Sequence, residues 1–192
     1  MQRKRQTATA LPGKHELLEQ AEERDIVKFI DSALQVTTAQ LPRIDASALR
    51  LVLTIFRVSD SLLYDLESSV QRPAGLSSVG FHLLWTIWIA GPIESSVAAT
   101  MMGVSRATVS GISATVEKSG LLVRTPSSVD GRAVILDLTT QGRKRFEEIF
   151  LATNDRYRSW VAGLTEQETD TLVALLAKLA IHSKKVTRHR NE

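Results

Sequence analysis

Residues 95–139 constrain this chain more than any other stretch. Two short helical runs flank a glycine turn and lead directly into two β-rich segments. The first run covers residues 95–102 and the second 105–116, with Gly103 and Val104 between them. Helices cross this tightly only where small residues stand at the meeting of the backbones, and Ala98, Ala99 and Gly103 supply them. Val104, Val109, Ile112 and Val116 recur at helical spacing and are expected to face inward. That leaves Ser105, Arg106, Thr108, Ser110 and Ser113 outward. Short hydrogen-bonding side chains and a guanidinium are what a helix entering a DNA major groove requires. Gly120 ends this helix as a C′ glycine. Residues 121–124 read as a short strand, 126–131 as a turn-rich tip and 133–138 as a second strand. The expectation is a β-hairpin wing behind a helix-turn-helix.

The exposed groups have definable roles. Ser105 can cap the second helix, offer its hydroxyl to a phosphate or base edge, or do both. Arg106 is placed to fork onto guanine, with a plain phosphate contact as the alternative. Thr108 and Ser110 can bond base edges or phosphates, or form a solvated face. Arg124 suits a backbone phosphate or solvent better than a base. Arg132, just past the tip, can reach a minor groove, with Asp130 orienting it or closing the turn; the alternative is a salt bridge that only shapes the hairpin. Arg143, Lys144 and Arg145 form a solvated helix face or touch phosphate. Gly111, inside the second helix, costs about 1 kcal/mol relative to alanine.

Charge gives a weaker signal than the pI of about 9.4 suggests. Residues 1–14 and 178–192 are basic, whereas between residues 76 and 140 Arg106, Lys118, Arg124 and Arg132 are balanced by Glu94, Glu117, Asp130 and Asp137. Phosphate neutralisation normally supplies most non-specific DNA affinity, so here placement must matter more than the sum. With no cysteine, a disulfide scaffold, a thiol sensor and Cys-ligated zinc are excluded. His15, His82, His182 and His189 show no metal-ligand spacing. A phosphate loop, a Ser–His–Asp signature and a metal motif are all missing, so neither an enzyme nor a cofactor is expected. There is no apolar run of membrane-spanning length and no secretory signal pattern, which makes the cytoplasm the default location.

Along the chain, residues 1–13 read as a mobile basic tail and 14–44 as a helical extension, continuous from Lys14 to about Thr38. Its apolar stripe (Ile26, Val27, Ile30, Ala33, Leu34) opposes an acidic face. It is either a solvated helix packed on the body or an arm that wraps a partner subunit. Asp45 or Ser47 caps a long helix to about Gln71, with Leu49, Val52, Leu53, Phe56, Leu63 and Leu66 inward. Ser77 or Ser78 opens the next helix, stopped by Gly91 and Pro92. Thr139 caps a helix to Val161, and Thr165 with Glu168 makes a capping box for the last one. Leu172, Leu175, Leu176 and Leu179 form a stripe there that a second copy would cover. Residues 45–75 and 141–184 are thus expected to form a helical dimerisation region, 76–140 the winged helix-turn-helix, and 185–192 a basic C-terminal tail. The fold class is mainly α with a small β-hairpin wing.

The ordered set Ser105-Arg106-Ala107-Thr108-Val109-Ser110, Glu117-Lys118-Ser119-Gly120-Leu121-Leu122, Asp130-Gly131-Arg132, Leu138-Thr139 and Gly142 resembles the MarR family of bacterial transcriptional regulators. The resemblance covers roughly residues 46–183. It implies a homodimer with a triangular all-α body and a small wing, bound to palindromic double-stranded DNA. It also implies that a small ligand or a covalent change often relieves repression. Gly111 departs from the family, which often carries a large polar or basic residue there, and Gly131 replaces a common arginine. The family often binds phenolic or aromatic effectors between body and winged region; Phe56, His82, Trp85 and Trp88 could line such a cleft here, or simply pack. The reading is a sequence-specific repressor, homodimeric on a palindromic operator and released by a small aromatic effector. The alternative is a winged-helix protein-interaction or dimerisation module without specific DNA binding.

Overall fold

The computed structural model describes residues 11–22, 25–127 and 133–188. They form α1 (Lys14–Glu22), α2 (Ile26–Gln40), α3 (Ala46–Leu66), a π-helical turn (Glu67–Gln71), α4 (Ser78–Ala90), β1 (Ile93–Glu94), α5 (Ser95–Met102), α6 (Arg106–Lys118), β2 (Leu122–Pro126), β3 (Val134–Leu138), α7 (Thr140–Val161) and α8 (Glu166–Arg188). The chain divides into two compact units, residues 1–65 and 66–192. This differs from the division expected from sequence, which grouped 45–75 with 141–184. The boundary instead cuts the end of α3, and α7 and α8 belong with the winged region.

In the first unit the expected single helix from Lys14 is two. Asp25 is the reason: its carboxylate accepts the Lys28 backbone N–H at 3.0 Å and starts α2 afresh. Ile30 and Leu34 are buried, the Arg57 guanidinium lies 4.8 Å from the centre of the Phe29 ring, and Arg50 donates to Asp31. Asp45, not Ser47, caps α3 by accepting from the Ala48 N–H at 2.9 Å. The face of α3 expected inward is largely open: Val52, Phe56 and Leu63 are exposed, Phe56 by 60%, and only Leu66 at its end is buried. An amphipathic pattern states that a face wants cover, not that its own chain supplies it.

The second unit is built around α4. Leu83, Leu84 and Ile87 are fully buried, and Phe81 stacks on α7 with ring centroids 5.5 Å from Phe146 and 6.4 Å from Phe150. Ser77 opens α4 by accepting from the Gly80 N–H at 3.1 Å. A three-stranded antiparallel sheet in the order β1-β3-β2 closes the core, pairing Ile93 with Leu136 and Leu122 with Leu138. The hairpin was expected and β1 was not: two residues are too few to show a period. Pro126 ends strand β2 instead of opening the tip. One core holds α4, α5, α6, the sheet and α7 together, so the helix-turn-helix and the wing share a rigid base.

Candidate nucleic-acid interface

Helix α5 ends at Gly103, whose φ of +67° is the left-handed conformation that a β-carbon disfavours. The Val104 N–H then donates to the Ala99 carbonyl at 3.0 Å, turning the chain into α6. Ala98 and Ala99 are buried at the crossing as expected. Gly103 itself is exposed with open space around its missing β-carbon, so it serves the turn and not the close approach. The close approach belongs to Gly80 on α4. A β-carbon there would lie 3.6 Å from both Ile112 and Val116, which is how α6 seats on α4.

Ser105 caps α6: its hydroxyl accepts from the Thr108 N–H at 3.0 Å and lies 2.8 Å from the Thr108 hydroxyl. Val109 and Val116 are buried, with Ile112 packed beside them. Arg106, Ala107, Thr108, Ser110, Gly111, Thr115 and Lys118 are exposed. Among the described residues Arg106, Ser110 and Lys118 have no ion pair or side-chain hydrogen bond, which leaves them free for a ligand. Lys118 stands in the last exposed turn of α6.

Two expected contacts are corrected. Ser113 is fully buried, not outward, and its hydroxyl donates to the Ser110 carbonyl at 3.1 Å. It stands at the i, i+4 position from Val109 and three before Val116, so its spacing outranks its polarity. Arg124 is not a free phosphate-facing cation. Its side chain is 28% exposed and its guanidinium lies 3.7 Å from a Glu117 oxygen. The other oxygen of Glu117 accepts the Arg124 backbone N–H at 3.1 Å, tying the end of α6 to β2. Asp130 and Arg132 lie outside the described residues. Arg143 and Lys144 are exposed on α7, while Arg145 pairs with Glu148 at 3.1 Å.

Besides the shared core, Thr139 ties the base of the wing to α7. Thr139 donates its hydroxyl to the Gly120 carbonyl at 2.7 Å and accepts the Gly142 N–H at 2.8 Å. Its own N–H donates to the Leu121 carbonyl at 3.1 Å.

Of the residues read as an effector site, His82 and Trp85 stack with ring centroids 5.7 Å apart. Trp88 donates its indole N–H to Glu147 at 3.0 Å and packs on Phe146 and Phe150. Trp85 and Trp88 are each more than a third exposed. Phe56 belongs to the first unit. Among the described residues no group of His, Asp and Glu is placed to hold a metal ion, and no helix is long and apolar enough to cross a membrane.

The chain is similar to known transcriptional regulators. The MarR family model matches residues 76–134. The chain is 36% identical over 111 residues to the HTH-type transcriptional regulator FarR of Neisseria gonorrhoeae, covering 58% of this chain and 76% of that protein. Among solved structures it is similar to BpsR of Bordetella bronchiseptica, whose DNA binding is regulated by 6-hydroxynicotinic acid (TM-score 0.62, 21% identity, 68% of this chain and 98% of that one). It is also similar to NadR in complex with 4-hydroxyphenylacetate (TM-score 0.55, 26% identity, 67% and 90%).

Proposed function

From the premise that this chain belongs to the MarR family of HTH-type transcriptional regulators, we propose that it works as a homodimeric repressor in the cytoplasm. Each copy lays α6 into a major groove of a palindromic operator, the two half-sites standing about one helical turn, roughly 34 Å, apart. Arg106 and Ser110 read base edges, Ser105 and Thr108 meet phosphate at the helix N-terminus, and Lys118 adds phosphate attraction. Arg132 is assigned to the adjacent minor groove, with Asp130 in the same contact. The carrying observation is that α6 is capped and seated on α4 while keeping the Arg106 and Ser110 side chains uncommitted.

Release follows from an effector that binds one arrangement of the two reading helices better than the other. A small aromatic acid suits the stacked, part-exposed His82 and Trp85 with Trp88 nearby in sequence on α4; compounds of that class act on BpsR and bind NadR. The test is a salt-titrated binding assay on the intergenic DNA upstream of the gene. Sequence-specific binding whose affinity falls steeply with salt is the expected result. Absence of binding at low salt, with a protein partner captured through the winged region, would replace this reading with an interaction module.

A further inference from the structure

Gly111 has no structural reason to be a glycine. It lies inside α6 with helical backbone, it is exposed, and a β-carbon built on it would meet nothing within 4 Å. An alanine there would improve helix propensity without touching the protein. Its position on the helix is more telling. At about 100° per residue, the buried Val109, Ser113 and Val116 define the inward direction. The exposed Ala107, Gly111 and Lys118, with half-buried Ala114 at their side, then form the ridge opposite, the part of α6 that comes nearest to whatever the helix is laid against.

This ridge offers no hydrogen bond at its centre. Ala107, Gly111 and Ala114 have no polar side-chain atoms, and the neighbouring Thr115 donates its hydroxyl to the Gly111 carbonyl at 3.1 Å. A base edge pressed against it would lose its water without gaining a partner, which disfavours the bare acceptors of guanine and the amino groups of cytosine and adenine. The one apolar projection in the major groove is the thymine methyl group. We infer that Gly111 is a specificity determinant: its missing side chain makes room for a thymine methyl at one base pair of each half-site. The flanking Ala107 and Ala114 methyl groups complete an apolar seat. Arg106 and Ser110 then read polar edges at neighbouring base pairs. The inference rests on the DNA-binding reading above and adds the one position that α6 reads by shape.

The test uses the full-length protein and the operator mapped within the upstream intergenic DNA. Gly111→Ala should keep the oligomeric state and raise Tm by about 2 °C. It should nonetheless lose about tenfold or more in operator affinity, because the added methyl overpacks the groove contact. Thymines are then replaced singly by deoxyuridine, which lacks only the methyl. At one position per half-site Gly111→Ala should recover to within about twofold of wild type, while wild type itself weakens about threefold. If Gly111→Ala binds the unmodified operator as wild type does, or no uracil position restores it, the inference is wrong although the regulator reading stands. If wild type binds no DNA, both fall together.

Discussion

A β-carbon on Gly142 would lie 1.7 Å from the Leu121 carbonyl oxygen and 2.6 Å from its carbonyl carbon. Both atoms are backbone and cannot rotate away, so the lead into β2 or the start of α7 must move. Gly142→Ala is therefore expected to destabilise the second unit by about 3 kcal/mol, the upper end for overpacking, read as a drop in denaturant midpoint at unchanged m-value. Gly163, with open space around it, should accept alanine with less than about 1 kcal/mol of change, and the pair isolates the clash from a general effect of glycine replacement. The same scale separates the reading residues. Arg106 is exposed and uncommitted, and Ser113 is buried with its hydroxyl satisfied within α6. Arg106→Ala should weaken operator binding by about tenfold or more and leave dimer and fold intact. Ser113→Ala should leave operator affinity within about twofold and change stability by about 1 kcal/mol or less. Equal losses from both would mean that α6 presents a different face to DNA than its burial implies.

At the scale of elements, the capping box of α8 gives a pH signature. Glu168 accepts the Thr165 backbone N–H at 2.8 Å and the Thr165 hydroxyl at 2.8 Å, and these bonds hold its carboxyl below the ordinary 4.5, the backbone bond first. A depressed carboxyl contributes stability above its unfolded value and loses it as pH falls through the lower folded value. Wild type should therefore melt above Glu168→Gln at neutral pH, and the gap should close as pH drops below 4.5. A gap that persists in acid would assign the effect to geometry instead of charge. Caps of this kind were legible in the sequence because they are local: Ser105, Thr139 and Thr165 each bond a backbone N–H three residues on. The helix-turn-helix was legible for the same reason, its pattern being complete within residues 95–118. Strand β1 was not, since Ile93 and Glu94 become a strand only through β3, some forty residues later. The pairing of Arg124 with Glu117 joins a strand to a helix end, and no local period encodes it. The open space around Gly111 was equally hidden, because a glycine's cost is visible in sequence and the emptiness of its surroundings is not.

At the scale of the whole molecule, what matters is how much apolar surface the chain leaves uncovered. Helix α8 exposes Leu172, Leu175, Leu176 and Leu179, each by between 41% and 55%. Covering a half-exposed leucine is worth roughly 1 kcal/mol, so this stripe on both copies gives about 8 kcal/mol gross. Association costs about 4–15 kcal/mol in lost freedom, and the leucine stripe alone leaves little or no surplus. A tight dimer must therefore bury more, and the candidates stand nearby in sequence: Leu151, Trp160, Val161 and Leu164 on or after α7, and Val173 and Ile181 on α8, are all exposed as well. The consequence is a sharp dependence on the stripe, because a small surplus is easily reversed. Leu172→Asp combined with Leu176→Asp places charges where a partner would have to bury them. The double variant is expected to sediment as a monomer at micromolar concentration with helix content preserved by circular dichroism. Its operator affinity should fall by about a hundredfold, because the second half-site is then no longer held at high effective concentration. Binding to an isolated half-site should be unchanged, since α6 and its cap are untouched. A double variant that stays dimeric would place the pairing surface elsewhere. One that becomes monomeric yet binds the full operator like wild type would show that a single reading helix suffices, and the palindrome would lose its physical basis.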